Sequence, residues 1–262
     1  MTIAAIVPIG DQRVNGYGNN LDACLRSMSE FADMVFLVQS HPARAILQPY
    51  VNGNIELISN PSTWFPLGIY DPVRFNRNVR IGEEAAAGAD VFIVLSSNWY
   101  IPKASREALR RRCNAVQTWD YAYRGNQLAG QLFSASKRLP MIWRLGSGCY
   151  YTFSPDGLQT PEGFTTVESG DYSEYDGEMI VDVPLEITLE DYEGKMNFFR
   201  CYANDLPKRS PVFDWDYWHR YSLGKMQGWS NYPGVLDEYG QAIADASKPE
   251  YLSLLFLREL TQ

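Results

Sequence analysis

Residues Arg74 to Asn98 read RFNRNVRIGEEAAAGADVFIVLSSN, and the rest of the chain is organised around them. The stretch predicts a basic, amide-rich helix start, an Ala-rich helix ending near Gly88, and a buried strand over Asp90–Leu95 that ends in small polar residues. In an open α/β sheet, loops and helix amino termini converge at the carboxyl end of such a strand, and ligands sit there. Arg74 and Arg77 on one side, with Ser96, Ser97 and Asn98 on the other, suit a phosphate-bearing ligand.

Working outward, Thr2–Pro8 is an apolar run of strand length, followed by a polar loop over Gly10–Asn20. Leu21, Cys24, Leu25, Met28 and Phe31 then recur at helical spacing, with Asn20 as the N-cap. Short apolar strands are predicted at Met34–Gln39 and Ile55–Ser59, with Pro42 opening a short helix through Leu47 between them. A Pro-, Trp- and Gly-rich loop leads to Asp71 and Pro72, an N-cap and first helical residue. This helix brings Arg74, Asn76, Arg77 and Asn78 to a terminus whose free N–H groups and dipole favour anions. Strands alternating with helices predict an α/β fold with a mostly parallel, Rossmann-like sheet and flanking helices.

Pro102–Cys113 is a further helix, with Arg106, Arg110, Arg111 and Arg112 gathered towards its end. The expected role is favourable charge at a helix C-terminus, not nucleic-acid binding. Beyond residue 115 the alternation gives way to strands of mixed polarity, at Val116–Tyr123, Leu139–Phe153 and Met179–Ile187. Thr160–Glu178 is acidic and Gly-rich and is expected to be an exposed or mobile loop; Glu190–Tyr202 and Tyr251–Leu260 read as helices. The expected organisation is one domain over 1–262, with a nucleotide-binding half over 1–115 and an irregular α+β half over 116–262 that shapes a second substrate.

The chain has 262 residues, 45% of them hydrophobic, enough to bury a large core. Its net charge of -8 argues against a protein that wraps nucleic acid or lies on anionic lipid. Four cysteines without CxxC spacing suggest neither a zinc knuckle nor a disulfide framework. No apolar run is long enough for an integral membrane segment, and no basic region precedes the first strand, so a soluble, cytoplasmic protein is expected. The aromatic content of 14%, concentrated in the second half, adds weak support for a carbohydrate ligand.

The ordered set of strand, helix, strand, F-N-R helix and apolar strand with a polar triplet resembles the GT-A fold of nucleotide-sugar glycosyltransferases over roughly the first 115 residues. The local echo is with galactosyltransferases that extend N-acetylglucosamine. Their first-strand P-F-R-N-R is similar to the run from Pro8, Ile9 and Gly10 to Arg13, and their F-N-R to Phe75-Asn76-Arg77. The resemblance implies a nucleoside diphosphate sugar donor, UDP-linked, and a hydroxyl acceptor of unknown identity, carbohydrate or other. Gln39 and Ser40 then meet the uracil, unless they are only a polar turn before Pro42.

The family's Asp-x-Asp, which holds Mn or Mg against the leaving diphosphate, falls on Ser96-Ser97-Asn98. Asn98 can offer a cation one amide oxygen, and fewer charged ligands mean weaker binding. By the same resemblance His219 is the other metal ligand and Lys225, with Arg220, a diphosphate contact; His219 is equally read as an ordinary ring among Trp215, Tyr217 and Trp218. In the acidic loop, Asp171 is the candidate base for an inverting transfer, against the alternative of a solvated charged loop. Two further readings stand beside a glycosyltransferase. One is a nucleotide-sugar-binding sensor or scaffold without turnover. The other, weaker, is a nucleotidyltransferase, whose usual Gly-rich loop with Arg and Lys is represented only by Arg13.

Overall fold

The computed structural model describes residues 1–9, 18–39, 47–60, 72–97, 99–128, 131–152, 157–170 and 179–182. The strands are β1 (Ile3–Ile9), β2 (Met34–Gln39), β3 (Ile55–Ser59), β4 (Val91–Val94), β5 (Trp99–Tyr100), β6 (Trp119–Leu128), β7 (Gln131–Arg144), β8 (Tyr150–Thr152), β9 (Gly157–Thr160), β10 (Gly163–Thr166), β11 (Glu168–Gly170) and β12 (Met179–Asp182). The helices are α1 (Gly18–Phe31), α2 (Pro72–Ala85) and α3 (Lys103–Ala115).

The main sheet runs β3-β2-β1-β4-β7-β6-β12-β5, with β11 also paired to β7; β10-β9-β8 form a small antiparallel sheet. The fold is α/β. Pairing is parallel from β3 to β4 and turns mixed where β7 joins β4 antiparallel. All residues of β1 and β4 are buried, which explains their unbroken apolar runs at the sheet centre. The chain steps leftward from β1 through α1 to β2, then returns through α2 to β4 on the other side of β1. The switch point therefore lies between β1 and β4.

Packing of α2 on the sheet depends on Gly82. A β-carbon there would lie 2.5 Å from Cγ2 of Ile6 and 3.3 Å from Cγ2 of Val38. Val79 and Ala86 line the same buried side. Across the sheet, α1 and α3 are cross-linked by charge. Arg106, only 7% exposed, pairs with Glu30 and donates to the Ile101 carbonyl. Arg110 binds Asp33 and the Phe31 carbonyl, Arg111 pairs with Glu107 one turn back, and Arg112 pairs with Asp120. These arginines are thus tied to carboxylates, and Arg112 alone lies in the last turn of α3.

Other expectations need correction. The strand predicted at Val116–Tyr123 is Trp119–Leu128, and it forms a hairpin with Gln131–Arg144 through polar sequence that reads as a connection. The strand predicted at Leu139–Phe153 is two, split at Gly146 and Gly148, whose φ of 75° and 76° suits glycine turns. Within the supposed acidic loop, Gly163–Thr166 and Glu168–Gly170 are strands. The helices expected at Glu190–Tyr202 and Tyr251–Leu260, and most of the one after Pro42, lie outside the described residues. No helix among the described residues is long and apolar enough to cross a membrane.

Candidate functional site at the sheet switch point

Pro8 shapes the gap between β1 and β4. The Ile6 carbonyl accepts from the Leu95 N–H at 2.9 Å, so Ile6 directs its backbone groups at β4. Backbone polar groups alternate sides along a strand, so Pro8 faces β4 as well, and it has no N–H to give. The β1–β4 ladder accordingly ends at Ile6 and Val94, while β1 stays paired to β2 as far as Ile9 and Gln39. Beyond that point no ladder pairing joins the two strands, where β1 continues through Pro8 and Ile9 and β4 is followed by Ser96 and Ser97.

The amino end of α2 comes to the same edge of the sheet. Asn78 Nδ2 donates to the Val38 carbonyl at 3.3 Å, and Asn60 Nδ2 donates to Asn78 Oδ1 at 3.2 Å. Of the F-N-R residues that precede it, Phe75 and Asn76 are half-buried and Arg77 is exposed. The Phe75 ring lies 5.9 Å from that of Tyr151, which stacks on Trp143 at 6.5 Å. Arg74 belongs to the described helix backbone.

Below the F-N-R residues, the Trp143 indole N–H donates to Glu83 at 3.0 Å. Burial pushes the Glu83 carboxyl above its ordinary range, against the opposing pull of Arg80 and the indole. Arg80 itself lies over the Tyr150 ring at 4.8 Å.

Gln39, at the end of β2, is 2% exposed, and its side-chain oxygen has no hydrogen-bond partner among the described residues. A buried acceptor in that state lacks a donor. Ser97 is 5% exposed and Ser96 half-buried. Gly10, Arg13, Ser40, Asn98, Asp171, His219 and Lys225 lie outside the described residues.

One group at this end escaped sequence reasoning. β6 occupies one edge of β7, so β11 takes the other, in line with β4 and beyond its end. There the Tyr121 hydroxyl donates to Glu168 at 2.8 Å and meets the Thr165 hydroxyl at 3.0 Å. Arg138 lies 4.6 Å over the Tyr121 ring and 3.5 Å from Glu168. Burial raises the Tyr121 phenol above its usual range, and the Glu168 contact adds to this. In the sequence Glu168 and Arg138 look like ordinary surface charges; only the register of β11 on β7 unites them.

The expected metal ligands Asn98 and His219 lie outside the described residues. Ser96 and Ser97 supply neutral hydroxyls, whereas hard cations are held chiefly by carboxylates. Among the described residues no group of three or more His, Cys, Asp or Glu has a metal-holding arrangement.

No known family model matches the chain, and no curated protein does. Among solved structures it is similar to a nucleotidyl transferase from Methanothermobacter thermautotroptrophicus, with 15% identity, 54% of this chain and 70% of that one covered, and a TM-score of 0.32. It is similar to mannose-1-phosphate geranyltransferase from Thermus thermophilus, with 17% identity, coverage of 81% and 67%, and a TM-score of 0.37. It is also similar to residues 1–349 of S. aureus TarS in complex with UDP-GlcNAc, with 12% identity, coverage of 97% and 81%, and a TM-score of 0.38. At this extent of overlap the site's own residues must carry the functional reading.

Proposed function

We propose that this protein is a GT-A-like glycosyltransferase that binds a UDP-sugar in the gap between β1 and β4 and passes the sugar to a hydroxyl acceptor. Residues 1–115 hold the nucleotide and residues 116–262 shape the acceptor side. The observation that carries the reading is the end of the β1–β4 ladder at Ile6 and Val94, just before Pro8, with Asn78 of α2 bonded to the neighbouring end of β2 and Arg74-Phe75-Asn76-Arg77 preceding it. The diphosphate meets the helix dipole and guanidinium charge at that helix start. The same groups stabilise the charge that builds on the diphosphate as the sugar departs. The unpartnered oxygen of Gln39 suits the ring N–H of uracil, next to Ser40, and Ser96, Ser97 and Asn98 lie towards the sugar. Asp171, which follows β11, takes the acceptor proton.

A second reading is favoured by one observation. Neutral Ser96 and Asn98 stand where the resembling enzymes carry metal-binding acids, so the protein binds a nucleotide sugar and does not turn it over. The two readings separate on release of free sugar and UDP from a UDP-sugar without acceptor. Slow hydrolysis abolished by Arg77→Ala supports an enzyme; tight UDP binding without hydrolysis supports the sensor or scaffold.

A further inference from the structure

We infer that Asn78 and Asn60 are positioning residues that lock the amino end of α2 onto the carboxyl ends of β2 and β3. Asn78 follows Arg77 directly and is 2% exposed; its amide donates to the Val38 carbonyl and accepts from Asn60. Asn60, 8% exposed, donates its backbone N–H to the Gln39 carbonyl at 2.8 Å. One side chain of α2 is thereby tied to the last two residues of β2 and the residue after β3. One turn later the bare Cα of Gly82 lets the helix settle on Ile6 and Val38. First helical turns fray because their N–H groups lack partners within the helix. Asn78 is the seventh of the 14 residues of α2, so its bridge anchors the helix directly after the turns that carry Arg74 and Arg77 and sets where that amino end lies on the sheet. The inference rests on the proposed nucleotide site for its purpose, and on the hydrogen bonds alone for its geometry.

The test is hydrogen exchange of the full chain, followed by mass spectrometry without ligand, for Asn78→Leu, Asn60→Ala and the wild type. Leu109→Ala, in the core side of α3, serves as a control of matched loss in Tm. The inference predicts that Asn78→Leu speeds exchange over residues 72–79 at least tenfold and leaves residues 103–115 at the wild-type rate. Asn60→Ala, which keeps the bond to Val38, gives a smaller change in the same peptide and stands in if Asn78→Leu does not fold. UDP titration is run alongside. A Kd raised more than tenfold by Asn78→Leu but not by Leu109→Ala extends the lock to the ligand. Wild-type exchange over 72–79 in both asparagine variants, or the same change in Leu109→Ala, overturns the inference. Absence of UDP binding by the wild type refutes the nucleotide site, while the exchange arm still decides the lock.

Discussion

At the scale of single residues, Arg77 and Glu83 behave as opposites on one helix. Arg77 is exposed at the amino end of α2, so replacing it costs the fold little, about 0.5 kcal/mol or less. Charge-assisted contacts to phosphate are worth about 1.5–3 kcal/mol, so Arg77→Ala is expected to weaken UDP binding by roughly 10- to 100-fold. Isothermal titration measures this directly, with the unliganded Tm as the check on folding. Glu83 pays for its position under Trp143. Burial raises its folded-state pKa, so the folded chain holds the proton more tightly than the unfolded one. The stabilisation is full below the unfolded carboxylate range and is lost as pH rises through the raised folded value. Glu83→Gln keeps an acceptor for the indole and removes the buried charge. It is expected to raise Tm at pH 7. The gain shrinks towards pH 4; a gain independent of pH contradicts this account.

At the scale of elements, the stretch that decides the fold was legible because propensity and pattern agreed. Pro72 begins α2 as its fixed φ and missing N–H favour, and the apolar run after Asp90 is β4. What the sequence concealed is the contact partner. Gly82 looks like a weak point in a helix, yet it is where α2 meets β1. Gly82→Ala should gain about 1 kcal/mol of helix propensity and lose about 3 kcal/mol to overpacking, since the 2.5 Å approach to Ile6 is closer than real β-carbons come, for a net loss of about 2 kcal/mol measurable by urea unfolding. Pro8 looks like the end of a strand, and the structure adds that it ends only one of two ladders. Pro8→Val restores an N–H towards β4 and is expected to narrow the gap. UDP affinity should then fall while the chain remains folded, and unchanged affinity would remove Pro8 from the site. The β6–β7 hairpin was illegible because its outer half lacks the alternation of apolar and polar residues that marks a half-buried strand. The arginines of α3 were misread for a related reason: Glu30 and Asp33 lie more than 70 positions away and cannot be seen as partners in a linear pattern.

At the scale of the whole molecule, an acidic chain brings Arg77 and the amides of Gln39, Asn60 and Asn78 to the carboxyl end of a parallel sheet. The α/β architecture and the carboxyl ends of β1, β2 and β4 were legible from apolar runs and helix caps. The composition of the site was legible only in part, because its walls come from segments far apart in sequence. Tyr121, Arg138 and Glu168 meet only through sheet register. The neutral triplet sets the limit on chemistry. Ser96→Asp combined with Asn98→Asp should create Mn affinity where the parent has little, and unchanged affinity in a titration followed by electron paramagnetic resonance would break the alignment with Asp-x-Asp. The central claim is the nucleotide site itself, and thermal unfolding with millimolar UDP, with and without Mn, tests it most directly. The account predicts a rise in Tm of several degrees that Arg77→Ala abolishes. No shift in the wild type under either condition would contradict it.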